Sequence, residues 1–351
     1  MRAELRKRGF AVQGRRWKNH DYMEAGVRRR LRLQSQKFES PSPRPPVGSP
    51  HCHMKHTLTL FTAVLATAAV QAAEVKINQP FPVKWTITEG IKAPESAYLD
   101  KKTGCIFLSQ IGAGGGTGKD GDGWISKLTP EGKMEKNKWV TGLNAPKGLR
   151  SHGDMLWVSD IDCIVGISIS KAKIVKTVQI ENAQFLNDVA TGPDGTVYVS
   201  DMAAGIVYAH KDGKTSVFAE GDKIEHPNGL LVHKGKLYLG GWGKNLQKDF
   251  STNPLGRLLA INLKNKKQRA ITKKPTGNLD GVEVDGKGGF IVTDWRAGKI
   301  FHITAKGKAT EIIQLPRGAA DHAFLTDRNW LILPEMLENK VSAIDLSEVV
   351  K

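Results

Sequence analysis

The chain has 351 residues, a quarter of them charged, with 52 Lys and Arg against 35 Asp and Glu. The excess of +17 is uneven, because residues 1–53 alone hold 13 basic and 4 acidic residues, or +9 of it. The rest carries a mildly basic, solvated surface that calls for no nucleic-acid partner, and it is long enough for one large core.

Residues 1–53 contain RKR, RRR and PSPRPP and little apolar periodicity. At Met54 the pattern changes to MKHTLTLFTAVLATAAVQAAE. Lys55 gives a short positive start, Leu58–Val70 an apolar stretch, and Val70-Gln71-Ala72 a small-residue cleavage pattern. That combination predicts a secretory signal peptide over residues 54–73, cut after Ala72 or Ala73. A signal peptide belongs at an N-terminus. Met54 is therefore the expected start, with residues 1–53 a mis-assigned or disordered basic extension; the alternative is a basic tail for nucleic acid or membrane. The apolar stretch is short for a membrane span. The expectation is an exported protein, periplasmic or secreted, with no stable span after cleavage and an uncleaved anchor as the alternative.

From residue 74 the chain reads as one domain. KWTITEGIKAPE at Lys84–Glu95 echoes KWVTGLNAPK at Lys138–Lys147. A phrase then recurs six times: APESAY with CIFLSQ, APKGLR with MLWVSD, LNDVAT with TVYVSD, PNGLLV with KLYLGG, LDGVEV with GFIVTD, and ADHAFL with WLILPE. Each copy is a polar lead residue, an apolar strand, a turn, and a second apolar strand ending small or acidic. The leads are Glu95, Lys147, Asn187, Asn228, Asp280 and Asp321. A period of about 40–50 residues with several strands per unit predicts an all-β, six-bladed propeller. Third strands are expected at Trp124–Leu128, Ile164–Ile169, Ile206–His210, Arg257–Asn262, Lys299–Ile303 and Lys340–Asp345. Fourth strands are expected at Asn137–Thr141, Val175–Ile180, Thr215–Ala219, Gln268–Thr272 and Thr310–Leu315. These make five antiparallel four-stranded blades and a sixth lacking one strand. The N-terminal echo supplies it, closing the ring and removing the free sheet edges. Cys105 and Cys163 fall at opposite ends of the ring, too far apart for a bridge, so both are expected free and buried.

The first strand of each blade lines the central channel, so the six leads should ring one mouth. Together they carry three carboxylates, two amides and one ammonium. Such oxygens clustered away from water are costly unless compensated. A hard divalent cation compensates them. Calcium is the leading choice, Mg2+, Mn2+ or Zn2+ being admitted, although no Cys/His set has zinc spacing. The alternative is a salt-bridged, water-filled channel with Lys147 as counter-ion. Asp160, Asp201, Asp294 and Glu335, at the second-strand ends, read individually as turn caps. Trp242, Trp295 and His322 are expected near the mouth.

On these residues the chain resembles the senescence-marker-protein/gluconolactonase family of six-bladed propellers. That resemblance implies metal ligands at Glu95, Asn228 in PNGL and Asp280 in LDGVEVD, and a substrate contact at Asn187 in LNDVATGPDG. Here the glutamate sits in PESAY, without the proline and tryptophan that usually follow it, and Lys147 and Asp321 are additions to the family set. The implied activity is hydrolysis of a sugar lactone or similar ester, a small-molecule substrate. Asp280 and Asp321 are the candidate proton acceptors. Asn187 and Lys147 are the candidate substrate contacts. The rival reading is a non-catalytic propeller that binds a ligand or protein, and a metal-dependent lyase is a third.

IGAGGGTGKDGDG at Ile111–Gly123 is a poor phosphate loop: Ala113 replaces the first glycine, Asp120 the hydroxyl residue, and no helix follows. It reads instead as a flexible loop able to lie over the mouth. No Gly-x-Ser-x-Gly phrase appears, and nucleophilic hydrolase chemistry is not expected.

Overall fold

Each recurring phrase becomes one four-stranded antiparallel blade in the computed structural model, which describes residues 81–351. The expected signal peptide at 54–73 and the extension at 1–53 lie outside the described residues. Strand β1 (Val83–Ile87) comes first. Blade 1 is β2 (Pro94–Asp100), β3 (Cys105–Gln110), β4 (Gly123–Leu128) and β5 (Met134–Leu143). Blade 2 is β6 (Pro146–His152), β7 (Met155–Asp160), β8 (Cys163–Ser168) and β9 (Lys173–Gln179). Blade 3 is β10 (Leu186–Thr191), β11 (Val197–Asp201), β12 (Ile206–Lys211) and β13 (Lys214–Glu220). Blade 4 is β14 (Pro227–His233), β15 (Lys236–Gly241), β16 (Leu258–Asn262) and β17 (Gln268–Ala270). Blade 5 is β18 (Leu279–Val284), β19 (Phe290–Asp294), β20 (Lys299–Ile303) and β21 (Ala309–Gln314). Blade 6 is β22 (Ala323–Leu325), β23 (Trp330–Glu335) and β24 (Lys340–Asp345), and β1 pairs with β24 as its outer strand.

The innermost strands β2, β6, β10, β14, β18 and β22 neighbour one another in that order around the channel. Closure between the last and the first is explicit. Asp321 N–H donates to the Glu95 carbonyl at 3.0 Å and Ala97 N–H to the Asp321 carbonyl at 3.3 Å. Apolar residues of facing blades fill the spaces between sheets, as with Leu231, Tyr238, Leu258, Val282, Val292 and Phe301 between blades 4 and 5. Cys105 and Cys163 are free and buried.

The polar half of the phrase has a local cause. In blades 1–5 the register between first and second strands shifts at the lead residue. A bulge there sets two residues of one strand against one of its partner. Hydroxyls on the second strand pin the displaced backbone. Ser109 Oγ accepts from Ser96 N–H, Ser200 Oγ from Asp188 N–H and Thr293 Oγ1 from Gly281 N–H, all at 2.8–2.9 Å. The acidic residue that follows caps the turn leading into the phrase. Asp160 accepts from the amides of Asn144 and Ala145, and Asp201 from those of Gln184 and Phe185. The strand-end aspartates are therefore caps, as their positions suggested.

Candidate cation and substrate site at the channel mouth

All six lead side chains are buried, at 1–6% exposure, so none is an ordinary solvated strand end. The residues that follow them explain how they crowd together. Three of these six positions are glycine, with unremarkable φ, and the reason is space. A Cβ on Gly148 would lie 2.1 Å from Asp188 Oδ1, one on Gly229 1.7 Å from the Asp280 carbonyl, and one on Gly281 2.5 Å from His322 Nδ1. The KG, NG and DG dipeptides are thus packing sites between adjacent inner strands. Ser96, Asp188 and His322 fill the other three positions as a second polar tier.

Glu95, Asn228 and Asp280 share a feature that sets them apart. Glu95 Oε2, Asn228 Oδ1 and Asp280 Oδ1 are each buried with no hydrogen-bond donor. An unmet buried acceptor costs about 1–3 kcal/mol, more when charged. Burial first, then Asp321, pushes Glu95 up to about 8 against the pull of Lys147. Asp280 is pushed well above the usual carboxylate range by burial, then by Glu95, Asp321 and Asp188. Three oxygens short of a positive partner fit a hard divalent cation. Among the described residues no group of three His, Cys, Asp or Glu side chains is placed to hold a metal. The trio here has two carboxylates and an amide.

The other leads are engaged differently. Lys147 Nζ donates to the carbonyls of Gly116 and Ala145, both at 2.9 Å, and lies 4.7 Å from the Phe185 ring. Burial lowers its pKa, opposed by Glu95 and Asp160. Its ammonium therefore fastens the glycine-rich β3–β4 loop. Phe185 packs on Phe250 at 5.7 Å from the loop between β15 and β16. Asp321 Oδ2 accepts from Ser96 Oγ at 2.5 Å and Oδ1 from His322 N–H at 2.9 Å, and burial lifts its pKa to about 6. Asn187 is 6% exposed, and its carbonyl accepts from Ser159 Oγ. His322 does not reach the mouth: it is fully buried in the second tier and held near pKa 3 by burial and by Arg150. Trp242 and Trp295 stack at 6.3 Å with the Arg317 guanidinium 4.6 Å from the Trp295 ring.

One residue of the phrase was passed over in the sequence. Arg150, three beyond its lead, reaches across the channel to three other blades. It donates from Nη1 to Glu283 Oε1 in blade 5 at 2.6 Å and lies 5.0 Å from the Tyr98 ring in blade 1. It approaches the Leu230 carbonyl in blade 4 at 3.4 Å. Burial opposes its charge, but Glu283, Asp188 and Asp321 outweigh that and hold its pKa above the ordinary value. The signal was available: at this position the six copies read Tyr98, Arg150, Ala190, Leu231, Glu283 and Phe324, with opposite charges only in blades 2 and 5.

A closed ring of six four-stranded antiparallel blades with a buried, oxygen-rich channel mouth defines a six-bladed β-propeller. The chain belongs to the SMP-30/gluconolactonase/LRE-like family, whose model matches residues 125–332, more than half of its length. That stretch contains every lead except Glu95, whose place rests on geometry. Among solved structures, a gluconolactonase from Xanthomonas campestris is 14% identical, with a TM-score of 0.53 over 77% of this chain and 87% of that one. A catalytically inactive virginiamycin B lyase from Staphylococcus aureus, with quinupristin, is 14% identical, with a TM-score of 0.52 over 75% of this chain and 98% of that one. Likeness at that identity shows the shared fold. No curated protein matches this chain by sequence.

Proposed function

We propose that this is an exported, divalent-cation-dependent lactonase-like hydrolase acting at the channel mouth. The observation that carries the reading is the set of three donorless oxygens on Glu95, Asn228 and Asp280. These residues would hold the cation, with calcium favoured by an all-oxygen set. Bound there, it supplies Lewis-acid polarisation of an ester carbonyl. The chain supplies the rest. Asp280 takes a proton from the attacking water as the new carbon–oxygen bond forms. The ring ester bond then breaks, and that proton goes to the departing alkoxide, giving a hydroxy acid. Asp321, with each oxygen already accepting a bond, suits orientation better than first proton uptake. Asn187 and Lys147 contact substrate hydroxyls, Lys147 after its loop bond to Gly116 opens.

One observation favours a second reading, a propeller that binds without turnover: the Lys147 ammonium is already satisfied by two carbonyls. Elemental analysis followed by an aldonolactone and aryl-ester panel, with and without chelator, separates the two. Metal with chelator-sensitive turnover supports the hydrolase, and metal without turnover supports the binding module.

A further inference from the structure

The two faces of the ring differ in charge. On the face away from the leads lie the eleven turns that join first to second and third to fourth strands. They hold twelve Lys and Arg against six Asp and Glu, whereas the segments on the mouth face, which join second to third strands and one blade to the next, hold ten of each. The turns of different blades meet in one rim. Arg328 of blade 6 donates to Glu131 of blade 1 at 2.7 Å, and Lys101, Lys102, Gly153 and Thr326 of blades 1, 2 and 6 line one recess. Five of the six acids are already engaged: Glu131 and Asp327 by Arg328, Asp194 by Lys211, Asp285 by His302, and Asp154 by Ser168 and Ser170. The cations are not. Eleven of the twelve are lysines, all eleven are exposed, and among the described residues none of them forms an ion pair.

The chain enters the ring on this same face. Strand β24 runs from the mouth end at Lys340 to Asp345, whose N–H donates to the Pro82 carbonyl at 2.9 Å, and β1 starts there at Val83. In the sequence, the apolar stretch Leu58–Val70 ends eleven residues before Phe81. We infer that the basic face docks on an anionic lipid surface through its headgroups, which leaves the lead-ring mouth turned to solvent and open to substrate. Unpaired lysines spread over four blades suit a planar array of charges better than one small anion. Lysine attracts as a hydrated point charge, whereas selective phosphate capture favours the arginine fork. Such attraction reaches about 10 Å at 0.1 M salt, and each lysine that reaches the surface strengthens binding roughly fivefold. A bilayer is favoured over nucleic acid because the segment that meets a membrane during export is joined to the ring at this face. That choice rests on the exported reading; the charge asymmetry does not.

The test is co-sedimentation of the chain from Glu74, whose six blades close within residues 81–351, with phosphatidylcholine vesicles that contain phosphatidylglycerol or lack it. Binding to the anionic vesicles alone is expected, weakened at least about tenfold when salt rises from about 50 to about 500 mM. The variant Lys102→Gln, Lys264→Gln, Lys306→Gln should bind at least about tenfold more weakly than the parent. The variant Lys92→Gln, Lys223→Gln, Lys273→Gln has the same net charge but changes the mouth face, and should bind within about twofold of the parent. All six lysines are exposed. Should the first variant fail to fold, Lys287→Gln, Lys308→Gln carries the comparison, with a loss of about fivefold or more. Lactone turnover should be unchanged in the first variant, so docking and hydrolysis fail separately. Equal binding to neutral vesicles, equal losses in the two triple variants, or tighter binding to duplex DNA than to anionic vesicles at matched phosphate overturns the proposal.

Discussion

Asp280→Asn is the most informative single change, because it keeps the side chain's size while removing one of the two anionic ligands of the proposed cation site. In the cation-free protein the aspartate is a fully buried carboxylate pressed by Glu95, Asp321 and Asp188. The amide abolishes that repulsion, so the chelator-treated variant should melt no lower than the parent, and slightly higher at pH 8. Calcium should act in the opposite sense. At a free concentration 100 times its Kd, a ligand specific for the folded state stabilises by about 2.7 kcal/mol. For a domain of this size that is a rise of roughly 5–10 °C, at about 2–4 °C per kcal/mol. Loss of one buried charged contact costs about 3 kcal/mol, or about 100-fold in affinity. At the same calcium concentration the variant then sits near its own Kd, and its gain falls to about 0.4 kcal/mol, roughly 1 °C. Scanning calorimetry of both proteins, in chelator and across a calcium series, reads these values. Equal calcium gains in parent and variant would refute the assignment of the three donorless oxygens to a cation.

The other predictions address separate parts of the ring. Glu95 has its folded pKa raised to about 8 from an ordinary 4.5, so between those values the folded cation-free protein binds more protons than the unfolded chain. Its stability is therefore fullest near pH 4.5 and falls as pH rises toward 8, by at most about 1.4 kcal/mol per unit; melting in chelator from pH 5 to 8 should show the decline, and a rising trend would contradict it. Gly229→Ala forces a methyl to within 1.7 Å of the Asp280 carbonyl, and a shift of the two strands costing about 1–3 kcal/mol is expected in chemical denaturation. Arg150→Met strands Asp188, Asp321 and Glu283 and should cost about 3–5 kcal/mol at pH 7, with partial recovery at pH 5 as Asp321, of pKa about 6, takes up a proton; an unchanged denaturation midpoint would remove Arg150 from its central place. Lys147→Met frees the Gly116 carbonyl, so amide exchange across 111–123 should quicken while the calcium gain persists, and unaltered exchange would show that the ammonium is no latch.

Strand placement was legible because it depends on local signals. Third strands at Lys299–Ile303 and Lys340–Asp345 match residue for residue, and the echo at Lys84 correctly marked the strand that closes blade 6. The aspartates at second-strand ends also read correctly as turn caps. What escaped the sequence reading follows from contact between blades. The bulges at the leads of blades 1–5 turn a second residue inward, so Asp188 joins the buried charges although it reads as the trailing half of an ND phrase. The same crowding explains why glycine follows Lys147, Asn228 and Asp280. Lys147 reads in the sequence as a substrate contact or, in the alternative, as the counter-ion of the ring, yet its amine lies against two backbone carbonyls, a partner choice that charge counting cannot foresee. His322, expected near the mouth, is instead fully buried behind its lead.

The buried charges of the channel fall into two systems that need different partners. Lower down, Asp188 and Glu283, with Asp321 of the lead ring above them, face Arg150, and Ser96 and the amides of Val189, Leu230 and His322 meet the carboxylate oxygens of Asp188 and Asp321. That set is supplied from within the chain, with hydrogen bonds that offset part of its desolvation. Higher up, Glu95 and Asp280 have only Lys147 nearby as a cation, and Lys147 bonds elsewhere. A protein could relieve such a pair cheaply by an arginine or by apolar replacement, as blade 2 shows that the scaffold accommodates a buried guanidinium. It has instead kept two carboxylates and an amide oxygen without donors, at a cost of several kcal/mol. Buried groups left without a partner call for an explanation, and an ion supplied from outside the chain meets all three oxygens at once. The lower tier keeps orphans of its own, Arg150 Nε and both ring nitrogens of His322, but the carboxylate oxygens of Asp188 and Asp321 all meet donors, so the donorless oxygens of the upper tier argue for a bound cation more strongly than the acidic residues taken by themselves.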